Sequence, residues 1–171
     1  GISLISQSRT NQVQGIWLEF ESHRSDRLRA LIALRSELGY GGMIHQFKNY
    51  ILRQNQTDSK SIISSIGGAK AALVQYKYLQ LNAAEKRAIS HIETILDAYQ
   101  TALNQMNQLI LQQKTAKQID HIVRIDDSDA LEALKLLELE TKLINSKTFE
   151  IQRRSLLLSS LRTAMGYGGL I

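Results

Sequence analysis

The sequence predicts an all-α fold, an elongated antiparallel bundle of four long helices, some of them kinked. The 171 residues contain no proline, which breaks helices and collects in loops. Apolar residues recur at helical spacing, and the alternation typical of strands is nowhere sustained. The segments between the periodic stretches are short, and short connections place consecutive helices antiparallel. A chain of this length suits one domain with a sizeable core, so we expect residues 1–171 to form a single helical-bundle domain.

The first predicted helix is unusually long. It covers residues 5–53, which corresponds to about 75 Å at about 1.5 Å per residue. A polar turn at residues 54–58 ends it, and the second helix covers residues 59–80. Globular domains rarely need a helix as long as the first one, whereas coiled coils and the outer domains of receptors use such helices.

The remaining boundaries come from capping and turn signals. Asn82 followed by Glu85 fits a capping box, so a third helix over 82–123 begins there, or the second and third helices form one kinked rod. A polar turn follows at 124–128. The fourth helix covers the rest of the chain, with a predicted interruption near residues 145–146.

An internal repeat is the most informative feature of the chain. Residues 27–44 return at 154–171, an offset of 127, and nine of the 18 aligned positions are identical. The identities fall at Arg27, Leu31, Leu34, Arg35, Gly39, Tyr40, Gly41, Gly42 and Ile44 of the first copy. Duplication is the natural source of such a match. The second copy stops where the first continues, so the chain is expected to be part of something longer.

Each copy contains a Gly-Tyr-Gly-Gly string inside sequence that otherwise favours helix. Glycine in a helix costs about 1 kcal/mol relative to alanine, so the two strings need a reason. We expect them to serve helix packing or to act as a hinge, since the outer glycines lie about one turn apart and let another helix approach. The two copies could also pack on each other about a pseudo-twofold axis. The residues concerned are Gly39, Tyr40, Gly41, Gly42, Gly166, Tyr167, Gly168 and Gly169.

The apolar stripe of the first helix changes direction at the first glycine string. Leu31, Leu34 and Leu38 share one face, whereas Tyr40, Ile44, Phe47 and Ile51 define another, rotated by roughly 150° at 100° per residue. Either the helix breaks at the glycines and the polar residues face outward, or it stays regular and both faces are covered. The second alternative would place a positive, hydrogen-bonding cluster between helices. That cluster would bind a small anion or carboxylate through Arg35, His45, Lys48 and Asn49.

Composition argues against several other classes of function. The net charge is +5, but Lys and Arg are spread along the whole chain, so we expect a solvated surface and no nucleic-acid partner. There is no cysteine, and the four histidines are scattered without ligand spacing, so no metal site, cofactor or catalytic residue is predicted. No apolar run approaches the roughly 20 residues of a membrane span. Because no catalytic pattern is found, the domain itself is expected to be non-catalytic.

The segment LRSELGYGGMIHQFKNYILR, residues 34–53, resembles a pattern in bacterial membrane receptors. It is similar to the helical outer sensor regions of sensor histidine kinases, diguanylate cyclases and chemoreceptors, and DDSDALEAL, residues 126–134, also looks like an element of those regions. The match covers about a third of the chain. It implies a periplasmic sensor domain between two flanking membrane helices, a homodimer in the parent receptor and two-component or related signal transduction. It supplies no ligand and no binding residues.

Two functions follow as hypotheses. The first is an extracytoplasmic domain that binds a small ligand or relays a helix displacement across the membrane. The second is a cytosolic helical scaffold or coiled-coil adaptor that acts through self-association.

Overall fold

The described part of the chain is helical throughout its regular structure. The computed structural model describes the backbone of residues 2–39 and 41–167, and the side chains of residues 15, 18, 21–39 and 41–161. It contains six helices, α1 (Ile2–Leu38), α2 (Met43–Arg53), α3 (Gln56–Lys77), α4 (Ala83–Leu111), α5 (Ala116–Val123) and α6 (Ser128–Tyr167). The predicted all-α class is confirmed, but six helices stand where four were predicted.

Capping side chains set the starts of α3, α4 and α5. The Asn55 side chain accepts a hydrogen bond from the Thr57 amide at the start of α3. The capping box predicted for Asn82 and Glu85 is present at the start of α4, with Glu85 N donating to Asn82 Oδ1 over 2.9 Å. Asn82 N donates in return to Glu85 Oε2 over 3.0 Å. Each side chain therefore satisfies an amide that the helix start would leave without a partner.

The predicted third helix is divided into α4 and α5. Gln113 adopts a left-handed conformation with φ of 59°, which ends the regular helix. Thr115 and Gln118 then form a second capping box that starts α5. By contrast, the predicted interruption near residues 145–146 is wrong, because α6 runs through it without a break. Ser146 and Thr148 bond to carbonyl groups of their own helix, so they satisfy their hydroxyls without ending it.

Side-chain contacts fix the directions in which neighbouring helices run. Arg35 pairs with Glu138 over 3.0 Å, and Gln152 donates to Glu21 over 3.4 Å, so α1 and α6 are antiparallel. Lys70 pairs with Asp97 and Lys77 pairs with Glu93, so α3 and α4 are antiparallel as well. The core lies between these helices and its largest fully buried side chains are Leu34, Leu38, Met43, Ile62, Leu73, Tyr76, Ile89, Ile92, Leu96, Leu103, Met106 and Ile119.

A buried polar cluster joins four of the helices. Arg27 of α1 forms an ion pair with Glu85 of α4, and its guanidinium also donates to the Gln80 carbonyl over 2.8 Å. The Tyr76 hydroxyl donates to Glu85 over 3.2 Å and lies 3.5 Å from the Thr141 hydroxyl on α6. Burial raises the pKa of Tyr76. Glu85 thus caps α4 and neutralises Arg27 at the same time.

Candidate functional site

The first glycine string forms a sharp turn between α1 and α2. Gly41 adopts φ of +90°, a backbone conformation that residues other than glycine rarely adopt. Gly42 N donates to the Gly39 carbonyl over 2.9 Å and closes the turn. The helix therefore breaks, as the first alternative predicted. The buried face changes from Leu34 and Leu38 on α1 to Met43, Phe47, Tyr50 and Ile51 on α2.

The glycines are required by their own backbone rather than by another helix. A Cβ on Gly39 would lie 2.6 Å from the Arg35 carbonyl oxygen, and a Cβ on Gly42 would lie 2.3 Å from that of Glu37. Both oxygens belong to the last turn of α1. Both close approaches are to the backbone at the end of α1, where the chain breaks before α2, and the expected role of these glycines in helix packing or as a hinge stays a prediction. Tyr40 lies outside the described residues.

The second glycine string behaves differently in its described part. Gly166 and Tyr167 remain helical at the end of α6, whereas Gly39 lies outside α1. Gly168 and Gly169 lie outside the described residues. Because α1 and α6 are antiparallel and Arg35 lies opposite Glu138, residues 154–167 extend away from the first copy. The expected pairing of the two copies within one chain is therefore not found among the described residues.

The structure separates the four predicted ligand residues. His45 and Lys48 are exposed on the outward face of α2 and line the same cleft. Asn49 is partly buried and does not line that cleft. Arg35 is exposed on α1, where it pairs with Glu138. A single cluster between helices, as the second alternative required, is not formed, because the break at the glycines turns this face of α2 outward.

An open groove runs along the outward face of α2. Its first part, of about 320 Å³, is lined by Gly39, Ile44, His45, Lys48, Asp127 and Leu131. Its second part, of about 570 Å³, is lined by Lys48, Ile51, Leu52, Ala116, Lys117 and Asp120. Lys48 belongs to both, so we treat the two clefts as one feature, the α2 groove. Volumes of this order accommodate small molecules.

Aromatic contacts behind the groove connect its walls. The rings of Phe47 on α2 and Tyr99 on α4 meet edge to face, with centroids 4.9 Å apart. The Tyr99 hydroxyl donates to Asp127, which lines the groove, over 3.4 Å. Burial and the Asp127 carboxylate raise the pKa of Tyr99. Asp127 in the groove wall is therefore hydrogen-bonded to Tyr99, and Tyr99 in turn packs on Phe47 in the core.

Some features of this site were beyond the reach of sequence reasoning. Lys117, Asp120 and Asp127 come from α5 and the start of α6, more than 60 residues after α2, and no periodic signal relates them to it. The acidic pair also changes the chemistry, because the groove carries carboxylates as well as the predicted cations. Among the described residues, no group of three or more His, Asp or Glu side chains could hold a metal ion.

Of the helices described, none is both long enough and apolar enough to cross a membrane. Comparison with known protein families, with curated proteins and with solved structures found no match to this chain.

Proposed function

We propose that the chain is an extracytoplasmic sensor domain of a bacterial transmembrane receptor. In this proposal an elongated, largely antiparallel bundle binds a small ligand in the α2 groove. Binding displaces α1 and α6 relative to each other, and flanking membrane helices carry that displacement to an output domain. The periplasmic location, the homodimeric parent and the type of output domain belong to the proposal and derive from the resemblance of residues 34–53.

The observation that carries the proposal is the position of the α2 groove. Gly39 follows directly on α1, His45 and Lys48 come from α2, and Leu131 comes from the first turn of α6. A ligand in this cleft would contact three elements on both sides of the glycine turn. A ligand shifts a conformational equilibrium only by binding one state better than the other. A site that spans a hinge meets that condition, since any rotation at the hinge changes its contacts.

The charges of the groove suggest the class of ligand. Lys48 and Lys117 provide cationic donors for a carboxylate, while Asp120 and Asp127 provide acceptors for an ammonium group. A small zwitterion such as an amino acid would use both sets. A simple dicarboxylate or inorganic anion would use the cations alone, because Asp120, which pairs with Arg124, and Asp127, which accepts from Tyr99, would offer it no donor.

A thermal-shift series tests the proposal. The chain would be melted with glutamate, aspartate, lysine, succinate and phosphate over a range of concentrations. A true ligand at about 100 times its Kd stabilises by about 2.7 kcal/mol, which raises the melting temperature by roughly 5–10 °C for a protein of this size.

Variants place the site. Lys48→Ala and Lys117→Ala should abolish the shift, whereas Lys60→Ala, an exposed lysine on α3, should leave it unchanged. Arg35→Ala should also retain it, because Arg35 does not line the groove. Equal shifts in Lys48→Ala and in the unmodified chain, or no shift with any compound, would count against the sensor proposal.

A second candidate is a helical scaffold that acts through self-association. The observation in its favour is a set of exposed apolar side chains on α6, which includes Phe149, Leu156, Leu157, Leu158 and Leu161. Sedimentation equilibrium over a wide range of concentration tests it directly. A tight dimer that Leu157→Ser dissociates, together with a silent ligand screen, would favour the scaffold.

A further inference from the structure

The internal repeat presents the same helix face twice, once buried and once exposed. In the first copy, Arg27, Ala30, Leu31 and Leu34 are exposed by 6, 0, 5 and 0%. Their counterparts at an offset of 127 are Arg154, Leu157, Leu158 and Leu161. The three leucines are exposed by 54, 65 and 57%, and the Arg154 side chain by 74%. Spacings of three, four and seven residues place each set on one helix face.

The first copy shows what such a face contacts. α1 packs most extensively on α3, which buries the small residues Ser65, Ala69 and Ala72. Arg27 extends beyond α3 and pairs with Glu85 in the first turn of α4. The occupant of this face is therefore a two-helix hairpin that buries small and large apolar residues on its first helix and carries a glutamate at the start of its second.

The second copy lies on the side of α6 that faces away from its own bundle. The buried residues of the first part of α6 are Ala130, Ala133, Leu134, Leu137, Thr141 and Thr148. At about 100° per residue, the centre of the face formed by Arg154, Leu157, Leu158 and Leu161 is rotated from the centre of that set by roughly 130°. No described neighbour takes the place that the α3–α4 hairpin takes in the first copy, and Arg154 pairs only with Glu150 of its own helix.

We propose that the face formed by Arg154, Leu157, Leu158 and Leu161 docks a helical hairpin of the α3–α4 kind, distinct from the hairpin that α1 already covers. A carboxylate of this hairpin pairs with Arg154 as Glu85 pairs with Arg27. Leu157 replaces Ala30, so the facing helix carries a residue smaller than its α3 equivalent. Two identical copies of this face would instead bring two guanidinium groups together, which disfavours symmetric pairing between chains.

The absence of cysteine from the chain allows a direct test by thiol labelling. Leu158→Cys probes the proposed face. Leu156→Cys is the matched control, since Leu156 is equally exposed but aligns with Arg29, whose side chain is also exposed. The two variants are compared in the 171-residue chain and in an extended chain that repeats residues 45–153 after Ile171. All of these chains also carry Leu157→Ala, so that the appended copy of α3 meets a residue of the same size as Ala30. The extended chain gives the second copy the sequence that follows the first.

The expected result is specific to one position. In the 171-residue chain both thiols should react with a maleimide at similar rates at every protein concentration. In the extended chain the rate should fall by about tenfold or more for Leu158→Cys and stay unchanged for Leu156→Cys. Arg154→Glu should restore the rate at position 158.

Three results would overturn the proposal. The first is equal reactivity of the two thiols in a folded extended chain. The second is an appended segment that adds no helical signal in circular dichroism. The face would then not support a folded hairpin in the way that α1 supports the α3–α4 hairpin. The third is protection of Leu158→Cys in the 171-residue chain that grows with protein concentration, which would identify a second copy of the chain as the occupant.

Discussion

The two arginines at equivalent positions of the repeat should differ sharply in their contribution to stability. Arg27 and Glu85 are almost completely buried, with side-chain exposures of 8 and 1%, whereas Arg154 and Glu150 are exposed by 74 and 61%. Removing one partner of a buried ion pair leaves an uncompensated charge and costs about 3–5 kcal/mol. An exposed pair of the i,i+4 type contributes about 0.3–0.5 kcal/mol. Arg27→Ala should therefore lower the free energy of unfolding far more than Arg154→Ala.

Urea denaturation followed by circular dichroism measures the difference. With a slope of about 2 kcal/mol per molar urea, Arg27→Ala should lower the midpoint by roughly 1.5–2.5 M, whereas Arg154→Ala should lower it by no more than about 0.25 M. Arg27→Met combined with Glu85→Gln should be more stable than Arg27→Met alone. That pair removes both charges, and the glutamine oxygen can still accept from Asn82 N while its NH2 group donates to the Tyr76 hydroxyl. Equal losses in the two alanine variants would refute the reasoning.

Five further substitutions, in three comparisons, test the local structure. Gly41→Ala should destabilise the protein by about 1–2 kcal/mol because of the positive φ. Gly15→Ala, with open space around it, should stabilise the protein by about 0.5–1 kcal/mol. Thermal melts that give the reverse order would contradict this. Thr115→Ala should cost about 1 kcal/mol through loss of the α5 capping box, and Thr94→Ala on exposed α4 surface should be nearly neutral in the same melts. Burial, and a neighbouring carboxylate, raise the pKa of Tyr99 above its unfolded value, so stability is retained below about pH 10 and falls as the pH rises beyond it. Tyr99→Phe should flatten that fall in urea midpoints measured between pH 8 and about 11; an unchanged slope would exclude this contribution.

Local signals predicted much of the secondary structure. The capping box at Asn82 and Glu85 and the turn after residue 123 were both confirmed, because each depends on residues close in sequence. Thr115 followed by Gln118 is the same kind of local signal, and it marks the start of α5.

Long-range contacts account for most of what the sequence could not reveal. The partner of Arg27 lies 58 residues away, and the partner of Tyr50, Asn107, lies 57 residues away. The glycine string predicted that the buried face changes, but it left open whether the helix breaks there or stays regular. The choice depends on whether Phe47 finds a partner such as Tyr99, which only the packed structure supplies.

The buried ion pair also determines how the first helix can move. An axial shift of one residue carries Arg27 about 1.5 Å along α1 and about 100° around its axis, which takes the guanidinium away from Glu85. Such a state is reached only by a fraction of molecules on the order of one in 10² to one in 10⁴, given a cost of about 3–5 kcal/mol. Small independent translations of α1 are therefore suppressed. Motions that keep the pair intact carry α1 and the first turn of α4 together as one rigid unit.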